Sequence, residues 1–468
     1  MLLTLAARTC AWSERWFPDA FAFVLIAVAV VAAGALAIGV APLQVAVNFG
    51  NGFWSVIPFT MQMTFIVIGG YVTADSPPVG RLIRRLAALP ESPQAAVALV
   101  AVVGMLVALL HWGLSLVLAS LLVRALARRQ DLQMDYRAGG AAACLGTGTV
   151  WALGLSSSAA QLQANPASMP PALLATTGVI PFGETIFLWQ SLLLAAVLIT
   201  VGTLIAWKSA PDAAHAQSAQ RLGVEVSETE HELPPRMRPG DWLEYSPLLN
   251  LFVALLGFTW LIWQVAEKGM SATLANLNTY NLMFVMLALV LQWRPRRFLA
   301  AVSRSVPAVA GVLVQFPFFG AISAIMTIAA DARGRTLANV LSGAFTSIAT
   351  AGTFAPVVGI YSAILGLFVP SGGGKWLVEA PYIMQAARQL QYHLGWTVQI
   401  YNAAEALPNL INPFWMLPVL GILQLKARDL IGFTFVQFVV NLPLVLALLW
   451  VLGATLSYHA PVMPQTGP

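Results

Sequence analysis

Apolar runs recur along this chain from residue 19 to residue 457, several of them near or above the length that spans a bilayer, which is roughly 18 to 20 residues. In the first half they predict spans at about 19–41, 53–74, 139–162 and 185–207, an amphipathic piece at 79–89 and a long apolar stretch at 94–127. As one helix of about 34 residues that stretch would rise roughly 50 Å, far beyond a hydrocarbon core of roughly 30 Å. It carries His111, Trp112 and Gly113 at its middle, with Arg81, Arg84 and Arg85 before it and Arg124, Arg128 and Arg129 after it. Positive flanks stay cytoplasmic, so both ends of the stretch belong on one side. A re-entrant hairpin with its tip at residues 111–113 satisfies length and charge together.

The second half repeats the plan. Gln62 sits in a span that leads to the amphipathic piece and Pro93; Gln315 sits in a span that leads to residues 337–350 and Thr353. His111 lies 18 positions after Pro93, and Ser371 lies 18 positions after Thr353. Residues 354–391 then read as a second arm, turn and arm, with Ser371, Gly372, Gly373 and Gly374 at the turn. If 19–41 corresponds to 278–293, the span at about 246–266 is unpaired, and an odd number of crossings turns the second half over. The weaker positive cluster around the second hairpin, Asp331, Arg333, Arg335 and Arg388, fits an external face. The competing account is that all spans resemble one another because all are rich in Ala, Leu and Val. The expected fold is therefore all-α, a polytopic membrane protein with two inverted-topology repeats, each with a re-entrant or broken-helix hairpin. Residues 1–207 form the first repeat, 208–245 a polar cytoplasmic linker, and 246–468 a linking span plus the second repeat.

Composition agrees: 59% of residues are hydrophobic and 9% charged, against roughly 25% charged in a soluble domain. The net charge of +5 is concentrated in short loops, including Arg294, Arg296, Arg297 and Arg304, and so reports topology in place of nucleic-acid binding. Cys10 and Cys144 form no disulfide framework or zinc spacing. Arg8, Glu14 and Arg15 precede the first apolar run without a small-residue cleavage site, which predicts a retained first span.

Polar residues at membrane depth carry the chemistry. Three glycines at 372–374 leave peptide groups open to a ligand, and helix ends there can aim N–H groups at an anion; the plainer alternative is a tight surface turn. Lys375 beside them fits a charge partner for that anion or a snorkelling interfacial side chain. His111 at the matching tip is a substrate or proton contact, or a hydrogen-bonded structural residue. Glu405 lies in an apolar segment disturbed by Pro408 and Pro413, with Asn402 and Asn409 spaced to share its helical face and Asn412 beyond. A carboxylate there binds a cation, relays a proton, or satisfies amide side chains. Ser156 follows the small-residue run Gly146–Thr149, which serves a ligand or helix packing equally well. Gln62 and Gln315 line a cavity or bond between helices.

The motifs themselves resemble a known family. Gly52-Phe53-Trp54, Met61-Gln62-Met63, His111-Trp112-Gly113, Ile180-Pro181-Phe182-Gly183-Glu184-Thr185, Asn281-Leu282-Met283-Phe284, Gln315-Phe316-Pro317-Phe318, Pro370-Ser371-Gly372-Gly373-Gly374-Lys375-Trp376 and Pro413-Phe414-Trp415-Met416-Leu417-Pro418, together with Arg15-Trp16-Phe17-Pro18-Asp19, are similar to the bacterial short-chain fatty acid transporters. The resemblance implies a multi-pass inner-membrane permease for acids such as acetoacetate or butyrate. It also implies kinship with inverted-repeat anion carriers whose hairpin tips hold the substrate, an architecture that leaves a homodimer open. Two positions depart from the family pattern: His111 stands where the first turn usually has Asn, and Lys375 where His is usual. The expected substrate contacts are His111, Trp112, Gly113, Ser371, Gly372, Gly373, Gly374 and Lys375. The expected coupling or cavity-lining residues are Gln62, Gln315, Ser156, Asn402, Glu405, Asn409 and Asn412. No cofactor or metal is expected beyond a coupling proton or sodium ion. A membrane enzyme acting on a lipid-borne acyl group and an anion channel are the alternatives.

Overall fold

The computed structural model describes residues 20–463 apart from 56, 165, 167–170, 227–232, 338, 341–346 and 369–371. Cys10, the motif at residues 15–19, Ser371 and part of the predicted 337–350 piece lie outside the described residues. The rest is helical, with one isolated bridge between Ala330 and Thr336. Among the described residues, seven helices are long and apolar enough to cross a membrane, or eight if a bent pair, Leu394–Leu410 and Phe414–Leu423, is one span. The chain is a multi-pass, all-α membrane protein.

The first half begins with α1 (Ala20–Ala37), α2 (Pro42–Ser55) and α3 (Ile57–Ala74). The predicted span at 53–74 is thus entered eleven residues early, from Pro42, whose fixed φ suits a first helical turn. Gln44, Asn48 and Asn51 interrupt the apolar run over that stretch. The amphipathic α4 (Pro77–Ala87) carries Arg81, Arg84 and Arg85. The long apolar stretch divides into α5 (Pro93–Leu110) and α6 (Trp112–Ala127), broken at His111, whose φ of −155° and ψ of 106° are extended. The two arms pack along each other, with the Ser115 hydroxyl donating to the Gly104 carbonyl at 2.6 Å. They form a helical hairpin and not a single rod.

Next comes an interrupted helix: α7 (Tyr136–Ala143), a π-turn at Gly146–Val150, a 3₁₀ turn at Trp151–Leu153 and α8 (Ser158–Ala164). The short α9 (Pro171–Thr177) and the long α10 (Trp189–Ser209) close this half. After α11 (Asp241–Tyr245), α12 (Pro247–Ala275) crosses as far as Met270, bent at Gly269, where φ is +80°. α13 (Leu277–Gln292) and α14 (Pro295–Thr327) follow. The second hairpin is α15 (Phe354–Phe368) and α16 (Gly372–Gln389). A second interrupted helix, α17 (Leu394–Ala406), a 3₁₀ turn at Leu407–Leu410 and α18 (Pro413–Leu423), leads to α19 (Ala427–Gly453). The order of hairpin, interrupted helix and long closing span therefore occurs twice.

Contacts fix which end of the bundle each hairpin opens to. At the base of the first, Arg129 donates to the Ala87 and Pro90 carbonyls, and Arg124 to Ile422, just before α19 begins. At the base of the second, the Trp450 indole donates to the Gly352 carbonyl and the Tyr392 hydroxyl lies against Gly453, where α19 ends. The two bases are thus separated by the length of α19, about 40 Å for its 27 residues.

Candidate functional site

The two interrupted helices cross where both have lost regular backbone: the π-turn at Gly146–Val150 packs on the 3₁₀ turn at Leu407–Leu410. Pro408 and Pro413 explain the second break, because each lacks a backbone N–H to donate. The sequence reading placed Glu405 and Asn409 on one continuous helical face; the 3₁₀ turn that contains Asn409 ends that face.

Ser156 stitches the first tip. Its hydroxyl donates to the Ala108 carbonyl at 2.8 Å and accepts from the Trp112 N–H at 2.9 Å, two groups that the break at His111 releases from the helical ladder. Gly113 sits against α3 so closely that a Cβ there would lie 2.7 Å from Ile66 Cγ2. His111 is fully buried; its Nδ1 accepts from Leu114 N–H, its ring stacks on Tyr280, and its Nε2 has no partner among the described residues. Gln62 donates to Asn278 and accepts from Asn281 through its carbonyl, so it joins α3 to α13. Gln315 is buried, and its Oε1 has no partner among the described residues.

At the second tip, Gly372, Gly373 and Gly374 belong to the first turn of α16, the helix end whose N–H groups lack intrahelical acceptors. A Cβ on Gly372 would meet the Trp151 ring at 2.4 Å and Glu405 Oε2 at 3.6 Å, so the tip, the first interrupted helix and the second meet at this residue. Tyr401 donates its hydroxyl to the Gly372 carbonyl at 2.6 Å. Lys375 is wholly buried, which removes the snorkelling alternative. It lies 3.3 Å from Glu379, donates to the Ser362 carbonyl at 2.8 Å and faces the Tyr401 ring. Ser362 in turn donates to Glu379 at 2.6 Å.

Glu405 is 1% exposed, and neither of its carboxylate oxygens has a hydrogen-bond partner among the described residues. The amides once considered as its partners are engaged elsewhere. Asn402 donates to Gln399, Asn409 to the Thr147 carbonyl, and Asn412 to the Leu367 carbonyl while capping α18. Sequence reasoning missed Glu379, whose spacing of four from Lys375 puts both on one helical face. Trp151 and Trp415, the second of them part of the Pro413–Pro418 motif, were likewise not among the expected site residues. Trp415 lies between Trp112 of the first tip (ring centroids 5.4 Å apart) and Trp151 (6.3 Å), so an aromatic wall links both tips.

These features define a multi-pass helical membrane protein with ionisable groups sealed where two interrupted helices meet two hairpin tips. The model of the short chain fatty acid transporter family matches residues 1–452, and the chain belongs to that family. A protein of Escherichia coli strain K12, named as a candidate short-chain fatty acid transporter, is 32% identical over 95% of this chain and 97% of its own length. A Haemophilus influenzae protein with the same name is 28% identical over 86% and 89%. Two solved structures, Neisseria gonorrhoeae MtrF (14% identity, 98% and 99% covered) and the Alcanivorax borkumensis YdaH transporter (16%, 95% and 99%), each give a TM-score of 0.49. Family membership indicates a transporter and not an enzyme.

Proposed function

We propose that the protein is a secondary active carrier of short-chain fatty acids such as acetoacetate or butyrate across a bacterial inner membrane, taking up one proton or sodium ion with each anion. The observation that carries this reading is Glu405, a buried carboxylate with no hydrogen-bond partner among the described residues, beside the Gly372 turn. The nearby buried ionisable groups are Lys375, Glu379 and Glu405; fully ionised they would carry one positive and two negative charges. An uncompensated charge is costly at membrane depth, so the cluster favours one bound proton or monovalent cation. Anion and cation moving together leave the net charge unchanged.

Alternating access is supported by the repeated element order and by hairpin bases at opposite ends of α19. We read the two halves as inverted repeats and both hairpins as re-entrant, with interrupted helices shielded by protein near the midplane. The test is uptake of radiolabelled butyrate and acetoacetate into proteoliposomes under imposed proton or sodium gradients with the voltage clamped. Saturable uptake driven by one gradient is expected; absence of saturable flux for any short acid removes the reading. Unsaturable flux far above a carrier's turnover would favour the channel.

A further inference from the structure

On residues around the crossing, five buried polar atoms have no hydrogen-bond partner among the described residues: the indole N–H groups of Trp151 and Trp415, the Asn409 Oδ1 and both oxygens of Glu405. All four residues are more than nine-tenths buried. Buried polar groups are ordinarily hydrogen-bonded, so this group calls for a ligand that supplies what it lacks. The two sets are complementary. The indoles can only donate, whereas Asn409 Oδ1 and an ionised Glu405 can only accept.

We propose that Trp151 and Trp415 hold the substrate carboxylate through their indole N–H groups, while Glu405 and Asn409 Oδ1 hold the accompanying proton or cation; the proposal rests on the carrier reading above. A carboxylate offers acceptors only, and a short acyl chain needs an apolar wall of limited depth. Both are present in one place. Trp415 packs edge-on against Trp112, and Phe414 lies 5.3 Å from Trp415 and 5.2 Å from Phe316, ring to ring. The buried cation, Lys375, is already matched by Glu379 at 3.3 Å, which leaves the neutral indoles as the better-placed donors. Glycine at 372 matters to this arrangement because any side chain there would push the Trp151 ring from its place.

The test uses the full-length protein in nanodiscs and saturable binding of radiolabelled butyrate. W151F and W415F keep an aromatic ring and delete one N–H; W263F, at an exposed position of α12, is the control. Loss of a hydrogen bond to a charged group predicts binding roughly 10- to 100-fold weaker for each of the first two, and unchanged binding for the control. Thermal unfolding and gel filtration show whether a variant is folded. A measurement on the unaltered chain guards against misfolding: with tryptophan labelled at the indole nitrogen, at least two N–H resonances shift on titration with butyrate. If the wild type binds butyrate while W151F and W415F bind it equally well, or if the indole spectrum stays fixed at saturation, the indole site is overturned and the carrier reading stands. If the wild type binds no short acid, both fall.

Discussion

At the scale of single residues, the centre is a problem of charge balance. Glu405→Gln keeps shape and size but removes the ionisable group, so binding of the acid should survive while gradient-driven accumulation is lost. Counterflow, which needs no net coupling, separates the two: E405Q should retain exchange of labelled for unlabelled butyrate and lose concentrative uptake. Equal loss of both would mean that Glu405 serves binding and not coupling. Lys375 and Glu379 form a wholly buried pair, and removing one partner strands the other. Lys375→Met should therefore destabilise by about 3–5 kcal/mol. The double variant Lys375→Met with Glu379→Gln should recover much of that loss, read as the midpoint of thermal unfolding. Glu405 was legible in the sequence because a carboxylate inside an apolar run is conspicuous. Glu379 was not, because it stands twelve residues before Gln391, close to where the polar end of the hairpin begins, and only its spacing from Lys375 marks it. The indoles were illegible for another reason: tryptophan is apolar in any pattern count, and whether its N–H finds a partner is decided by tertiary packing.

Helices and hairpins were more open to the pattern. The break at His111 followed from length and flanking charge, and the structure puts it between α5 and α6. What the pattern lacked was the device that makes the break tolerable. A helix interrupted inside a membrane releases peptide groups that water does not reach, and they must be paired by protein. Ser156 does this for Ala108 and Trp112 from a different segment, a contact no local window contains. Ser156→Ala should thus leave one donor and one acceptor unpaired and cost about 1–3 kcal/mol. Fluorescence-monitored thermal unfolding in detergent should show the loss, and Ser156→Thr should restore part of it. A wild-type melting curve for S156A would show that other groups pair the tip. The helix from Pro42 was missed because Gln44, Asn48 and Asn51 break the apolar run; α2 packs on α14 and tolerates those amides on its outward face.

For the molecule as a whole, the decisive question is whether the halves face opposite ways. The first hairpin's base lies among Arg124, Arg129 and the start of α19; the second lies beside Trp450 and Gly352 at the other end. Arginine-rich loops remain cytoplasmic, so the first base should be internal and the second external. Leu89 and Thr350 are exposed at the two bases and suit single-cysteine reporters. In a background lacking Cys10 and Cys144, a membrane-impermeant maleimide should label L89C only in inverted vesicles and T350C only in right-side-out ones. Both reporters labelled from one side would place the hairpins in parallel, and a carrier cycle that exposes one centre to each side in turn would lose its structural basis. Opposite labelling, by contrast, would mean that Gly372 and Trp112 approach the aromatic wall from opposite faces of the membrane. Opening at one end then need not open the other, and that separation lets a buried site exchange its anion and cation with one compartment at a time.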